Sequence, residues 1–408
     1  MNTPTTTWKL NDSQFTLIDR AKLAWFVLSD NQWTQSKHTA EFECKMAQFV
    51  GSKYAVFVAN GSLANTLIAM YLRDKHVAMQ TGNTVVFPST TWMTSISPFI
   101  REGFDEKFID VNLENFSMDL NKLEQYLKKS AKHVACVFVT SLLGFNIDIN
   151  NLLWLRDKYQ VTVMIDNCEN TLGISNGKNV SSFVTSTTST YFGHQLQSVE
   201  GGFVFTNDPD EYEYFLMARC HGLVRGLPES LRQKHSNPDV DSRFDFSLLG
   251  NNFRNTDIHA FIGMLDLKRV NQYRAQREMF YNLFRSILNK RKVLDMFIMP
   301  NIITLNNDEK IYPFCIPIIL KKHNPAMRDR LIKISHEMGV ETRPICTGNI
   351  VRQTPFKNNY RSGAFDGAEH LHHNGFYIGL HGLLNKFQVE KFAETLVANM
   401  MPLKFGGQ

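Results

Sequence analysis

An α/β layered fold, followed by a smaller α+β unit, is what this chain predicts, and three observations carry the prediction. Short apolar runs bounded by turn residues alternate with helix-period segments through the first two thirds of the chain. The texture changes near residue 270, after a long helical pattern. The 408 residues, 43% of them hydrophobic, suffice to bury one large core and a smaller one.

The elements follow in order. Tyr54-Ala55-Val56-Phe57-Val58 reads as a buried strand, and Asn60-Gly61-Ser62 then opens a helix over 63–75. A second strand is expected at 84–87 and a helix at 91–102. A third strand at 134–140 precedes a helix at 151–159 and a fourth strand at 161–165, and a fifth is expected at 202–206. Ile258, Phe261, Ile262, Leu265, Leu267 and Val270 recur near helical spacing, which predicts one long helix over 257–277 that links two domains. Beyond it come a strand (312–320), a helix (325–338) and a closing helix (386–400). The expected domains are 1–270, including the N-terminal segment, and 271–408.

Composition excludes several classes. No apolar run reaches the roughly 18 residues needed to span a bilayer. The start, Met1-Asn2-Thr3-Pro4-Thr5-Thr6-Thr7, lacks the basic-then-apolar order of a signal peptide, so a cytoplasmic protein without a membrane partner is expected. A net charge of +5 with only short basic groups, such as Lys128-Lys129 and Lys321-Lys322, argues against nucleic acid. Six cysteines stand far apart with no CxxC pair, so neither disulfides nor a metal site is expected.

The chemistry centres on Ser189-Thr190-Tyr191-Phe192-Gly193-His194, six residues ahead of Glu200-Gly201-Gly202. This stretch resembles the cofactor-anchoring segment of the DegT/DnrJ/EryC1/StrS sugar aminotransferases, pyridoxal phosphate (PLP) enzymes of fold type I. In those enzymes a lysine at the histidine's place binds the cofactor covalently. Imidazole has no primary amine, although it still moves protons. No lysine lies between Lys178 and Lys234 to replace it. Histidine here resembles the pattern of the family's sugar 3-dehydratases, which remove a hydroxyl instead of installing an amine.

The resemblance extends in order from about residue 50 to 385. It implies a mostly parallel seven-stranded sheet between helices, with a smaller C-terminal α+β domain. Gly61 and Ser62, at a helix start whose N–H groups suit a phosphate, match the cofactor-phosphate cup, and Ser189 matches a second phosphate ligand. Alone, the Asn60-Gly61-Ser62 turn reads first as a plain N-cap. Trp92, after a strand end, matches the ring that stacks on the pyridine. Asp166 matches the carboxylate that keeps the pyridinium protonated, and Glu169 completes an Asp-Asn-Cys-Glu run similar to that of the dehydratases. Asn252, with Arg254 in support, matches a loop that reaches the neighbouring subunit's cofactor phosphate, which implies a homodimer with the active site at its interface. His221 and Arg225 match a second active-site histidine and its neighbourhood, toward cofactor or substrate. Arg343 suits the carboxylate of an amino-acid donor or a nucleotide diphosphate, and His381 falls in a substrate-proximal segment.

The implied activity is a glutamate- and PLP/pyridoxamine-phosphate-dependent 3-dehydration of a nucleotide-linked 4-keto-6-deoxyhexose, GDP-linked by resemblance. His194 is the implied catalytic base and acid. Dehydratases of CDP-linked sugars carry an iron–sulfur cluster needing four close thiolates. Between His194 and Asn301 only Cys220 is present, so no cluster is expected. A sugar aminotransferase with an unusual base, a CDP-linked dehydratase, and a cofactor-binding relic acting as regulator or scaffold are the competing readings.

Overall fold

The computed structural model describes residues 7–12, 15–29, 32–79, 82–303 and 308–405. The polar start at 1–6 lies outside the described residues. The chain runs α1 (Leu17–Leu28), α2 (Lys37–Val50), β1 (Tyr54–Val58), α3 (Gly61–Met79), β2 (Thr84–Pro88), α4 (Ser97–Arg101), β3 (Asp105–Ile109), α5 (Leu120–Ser130), β4 (Val134–Thr140), α6 (Ile149–Tyr159), β5 (Val163–Asp166), β6 (Ser186–Ser189) and β7 (Gly202–Thr206). Then come α7 (Pro209–Arg219), α8 (Glu229–His235), α9 (Asp257–Leu267), α10 (Val270–Lys290), β8 (Cys315–Ile319), α11 (Pro325–Glu337), β9 (Thr342–Pro344), α12 (Asp366–Asn374), β10 (Gly375–Gly379) and α13 (Lys386–Phe405).

Seven strands form one sheet in the order β1-β7-β6-β5-β4-β2-β3. Only β7 runs against its neighbours; the other pairings are parallel. Both faces of a parallel sheet are covered by helices, so its strands need no polar side, and all seven residues of β4 are buried. Helix starts are capped by side chains: Thr16 and Asp19 form a capping box on α1, while Asp119, Asp148 and Asp208 cap α5, α6 and α7. A second sheet, β8-β10-β9, is antiparallel and carries the C-terminal elements. Among the described residues no helix is long and apolar enough to cross a membrane.

Four expectations are corrected. The helix expected at 91–102 is broken: Trp92 is extended, Met93–Ser95 form a 3₁₀ turn, and only Ser97–Arg101 is α-helical, with Pro98 in its first turn, where proline is tolerated. The helix expected at 257–277 is two, α9 and α10, parted at Lys268-Arg269. There Arg269 reaches Asp19 and Asp266. Residues 7–12, expected to belong to the first unit alone, touch both, since Asn11 donates to the Phe192 carbonyl. Trp8 bridges to Val340, and its indole N–H donates to the Gly379 carbonyl at 2.9 Å, which fastens the segment to the second sheet.

The fourth correction concerns β6, which the apolar pattern omitted because all four of its residues bear hydroxyls, yet it is fully buried. Its side chains are satisfied internally. Thr187 donates to Asn65, Thr188 pairs with Thr171, and Ser186 donates to the Ser181 carbonyl. The edge strand β3, which begins with exposed Asp105, was likewise absent from the apolar pattern.

Candidate active site

The carboxyl ends of β1, β2, β4, β5 and β6 open onto one cavity of about 710 Å³, where ligands bind in open α/β sheets. Its floor is rigid. Asn60 caps α3 by accepting from the Leu63 N–H at 2.9 Å, which leaves the first-turn N–H groups of Gly61 and Ser62 without helical acceptors. A Cβ on Gly61 would stand 2.9 Å from both Cys168 Sγ and Ser189 Cβ, so the position requires glycine. Ser62 pairs with Thr94 at 2.7 Å, and Ser189 Oγ accepts from the Tyr191 N–H.

Asp166 ends β5 at 3% exposure. It accepts from Asn65 Nδ2 at 2.9 Å, Ser95 Oγ at 2.6 Å and the Cys168 N–H at 3.1 Å. All three donors are neutral. A buried carboxylate with no cationic partner among the described residues is costly unless a charge arrives from outside the chain. A protonated pyridine nitrogen supplies such a charge. With the glycine cradle at the helix start, the donor set fits PLP: phosphate at Gly61, Ser62 and Ser189, ring nitrogen at Asp166. Trp92, 59% exposed, stands at the cavity rim.

His194 lines the same cavity. Its Nδ1 lies 2.6 Å from the Cys168 carbonyl, which can only accept, so Nδ1 carries the proton and Nε2 the free lone pair. Burial lowers its pKa below the ordinary histidine value; the Cys168 carbonyl and Asp166 oppose this, and Arg277 adds to it. The ring is therefore a neutral base at physiological pH. Glu169 accepts from the Leu143 N–H at 2.6 Å. Burial pushes its carboxyl up to about 7, Leu143 opposing and Asp166 reinforcing. Among the described residues, no lysine lines the cavity.

The roof comes from elsewhere in the chain: Leu10, Phe314, Cys315, Arg343, Cys346 and Tyr377. Arg343, on β9, pairs with Glu341 at 2.7 Å, and the same Glu341 accepts from the Leu10 N–H. Asn11 donates to the Phe192 carbonyl, so the N-terminal segment straps the second sheet to the turn that carries His194.

Gly61, Ser62, Trp92, Asp166, Glu169, Ser189, His194 and Arg343 are thus brought together. His221, Arg225, Asn252 and His381 are not on this cavity. The first three gather on an outward loop: Cys220 bridges to Asn252, His221 N–H donates to the Asn251 carbonyl, and Arg225 lies over Phe244. The placement of His381 corrects the expectation of substrate contact. It is buried with Nε2 3.1 Å from the Lys9 carbonyl, and so fixes the N-terminal strap instead. Sequence reasoning missed Asn65 and Ser95, which hold Asp166, and from the roof Leu10, Phe314 and Cys315; Tyr377 lies in the segment expected near the substrate. Asn65, a polar residue among the apolar positions of the α3 pattern, was the one available signal.

Comparison with known proteins agrees with this geometry. The model of the DegT/DnrJ/EryC1/StrS aminotransferase family matches residues 19–397. The GDP-4-keto-6-deoxy-D-mannose 3-dehydratase of Yersinia pseudotuberculosis is 29% identical over 378 residues, 91% of this chain and 93% of that protein. The solved E. coli GDP-4-keto-6-deoxy-D-mannose-3-dehydratase with bound hydrated PLP superposes with a TM-score of 0.85 at 25% identity, covering 96% of this chain and all of that one. A structure of a GDP-4-keto-6-deoxymannose-3-dehydratase with a trapped PLP–glutamate geminal diamine gives 0.84 at the same identity and coverage.

Proposed function

From its place in the DegT/DnrJ/EryC1/StrS aminotransferase family, to which this chain belongs, we propose that it is a PLP- and glutamate-dependent 3-dehydratase of GDP-4-keto-6-deoxy-D-mannose. The product is the 4-keto-3,6-dideoxy sugar nucleotide. One observation carries the reading: an imidazole with a free Nε2, and no lysine amine, lines the cavity where the family fold places the cofactor's reactive end. The GDP-linked substrate and glutamate are supported by the relatives named above.

PLP, when bound, would supply an electron-accepting ring and, with glutamate as the amino donor, an amino group for the sugar's 4-keto carbon. The chain's residues do the rest. Gly61, Ser62 and Ser189 hold the phosphate, and the Trp92 ring covers one face of the cofactor. Asp166, fixed by Asn65 and Ser95, keeps the ring nitrogen protonated. His194 Nε2 takes up a proton from the reacting centre, and in its protonated form returns it to the departing 3-hydroxyl, which leaves as water. Because burial depresses the imidazole's proton affinity, Nε2 is unprotonated at neutral pH and the gained proton is readily given up. Arg343, at the mouth, exchanges its Glu341 partner for the substrate's carboxylate or diphosphate.

The same reading includes a cytoplasmic homodimer, with residues 1–270 as the cofactor-binding unit and 271–408 as the smaller one. The outward loop that bears His221, Arg225 and Asn252 supports the dimer. It is flanked by Phe244, Phe246 and Leu249, the last 91% exposed, an apolar surface of the kind a second copy covers.

The full chain, given PLP, glutamate and GDP-4-keto-6-deoxymannose, should yield a product lighter by one oxygen, with ammonia released, by mass analysis. An amine retained on the sugar would assign transamination instead. His194→Lys should hold the cofactor covalently through dialysis and lose dehydration.

A further inference from the structure

The segment 312–314 leads into β8 and brings Phe314 against the base: its ring centroid lies 5.5 Å from that of His194, tilted 54°. All three carbonyls of the segment are taken by side chains from outside it. Gln195, adjacent to the base, donates to the Tyr312 carbonyl while its Oε1 accepts from the Leu172 N–H. Arg277 Nη1, from α10, donates to the Pro313 and Phe314 carbonyls at 2.9 and 2.8 Å. The Phe314 N–H donates to the Leu143 carbonyl. Next to it Gly144 has φ +80° and no room for a Cβ, which would stand 2.2 Å from Phe314 N.

Arg277 is buried, and no carboxylate pairs with it among the described residues. A buried guanidinium satisfied by neutral carbonyls alone destabilises a fold relative to an apolar residue of similar size. Both of its hydrogen bonds bear on the segment that carries Phe314 to the base. Four groups surround the His194 ring: the Cys168 carbonyl on Nδ1, the Asp166 carboxylate, the Tyr191 ring edge-on at 6.0 Å, and Phe314. Phe314 is the one delivered from outside the large sheet. The Arg277 charge also opposes protonation of the imidazole.

Resting on the reading of His194 as the base, we propose that Arg277, with Gln195, is a positioning residue for His194. Together the two side chains hold three consecutive carbonyls, Arg277 two and Gln195 one, and lock 312–314 so that the Phe314 ring pins the imidazole against the Cys168 carbonyl. Arg277 itself does not line the cavity. It acts through Phe314.

The test compares Arg277→Met, Phe314→Leu and the double variant as PLP-loaded full-length protein, alongside NMR of ¹³C-histidine-labelled protein, with the His194 signal assigned by its loss in His194→Asn. Each single variant should lower kcat about tenfold and change KM for the sugar little, and the double should be no worse than either alone. In both single variants the His194 signal should lose the ring-current shift from Phe314. Arg277→Lys, which keeps a donor for the carbonyls, should recover kcat; it also carries the test if the Met variant fails to fold. Additive losses, or a His194 signal unchanged in Arg277→Met, would overturn the proposal. The NMR arm needs no substrate, so a parent chain that fails to dehydrate the sugar would sink the functional reading and leave this one decidable.

Discussion

The floor and the roof of the cavity are built on opposite principles. On the floor, each group is held by the large sheet: Asp166 is fixed by three donors, Gly61 is wedged between Cys168 and Ser189, and a buried polar strand backs them. The roof is assembled from segments near residues 10, 314, 343 and 377, drawn from the N-terminal strap and the second sheet, with Glu341 joining Arg343 to Leu10. Its key cation is half exposed. The difference teaches that the floor is set by strand ends of one sheet, whereas the roof depends on segments that only the fold brings together.

The largest expected effect breaks the floor. Asp166→Asn keeps the shape and the Asn65 and Ser95 contacts but removes the charge facing the pyridine nitrogen. Removing one partner of a buried pair costs about 3 kcal/mol, more than a hundredfold in rate or cofactor affinity. Turnover and PLP titration should both register it. On the roof, Arg343→Gln should raise KM for the anionic substrate about tenfold and change kcat less, as loss of a bidentate grip on an exposed partner does. A kcat loss as large as that of Asp166→Asn would erase the distinction between the two regions.

The smallest effect on catalysis is expected at His381, which belongs to the strap. His381→Gln should leave kcat and KM unchanged near neutral pH. Its signature is in stability. Burial, with the Arg277 charge adding, lowers the folded-state pKa to about 4, against about 6.5 in the unfolded chain. The unfolded state therefore binds the extra proton between these values, and the stability conferred by the neutral ring is present above pH 6.5 and lost as pH falls toward 4. Thermal midpoints measured across that range should fall less in His381→Gln than in the parent. A midpoint difference that is independent of pH would remove the assignment.

Much of this was legible in the residues. Strands β1, β4 and β7 fall on the expected limits because a strand of a sheet covered on both faces must be apolar on both, and that leaves an unbroken run. The floor residues were legible for a related reason: Asp166 and Ser189 end strands, and Gly61, Ser62, Trp92 and His194 follow three to five residues after one. β6 was hidden because its hydroxyls find partners only after Asn65, Thr171 and the Ser181 carbonyl have been brought around it. The break at Lys268-Arg269 was hidden because one partner that Arg269 meets there, Asp19, lies 250 residues away.

By itself, then, the sequence determined the layered fold, the cofactor cradle and the replacement of an amine by an imidazole, because each is written in side-chain type at a position local to one strand end. Tertiary structure alone decided the tautomer of His194, through the Cys168 carbonyl, and the capture of Phe314 by Arg277. It also decided the assignment of His381 to a strap instead of the substrate. Those depend on hydrogen bonds between groups far apart in the chain, and only the folded path brings such groups within reach.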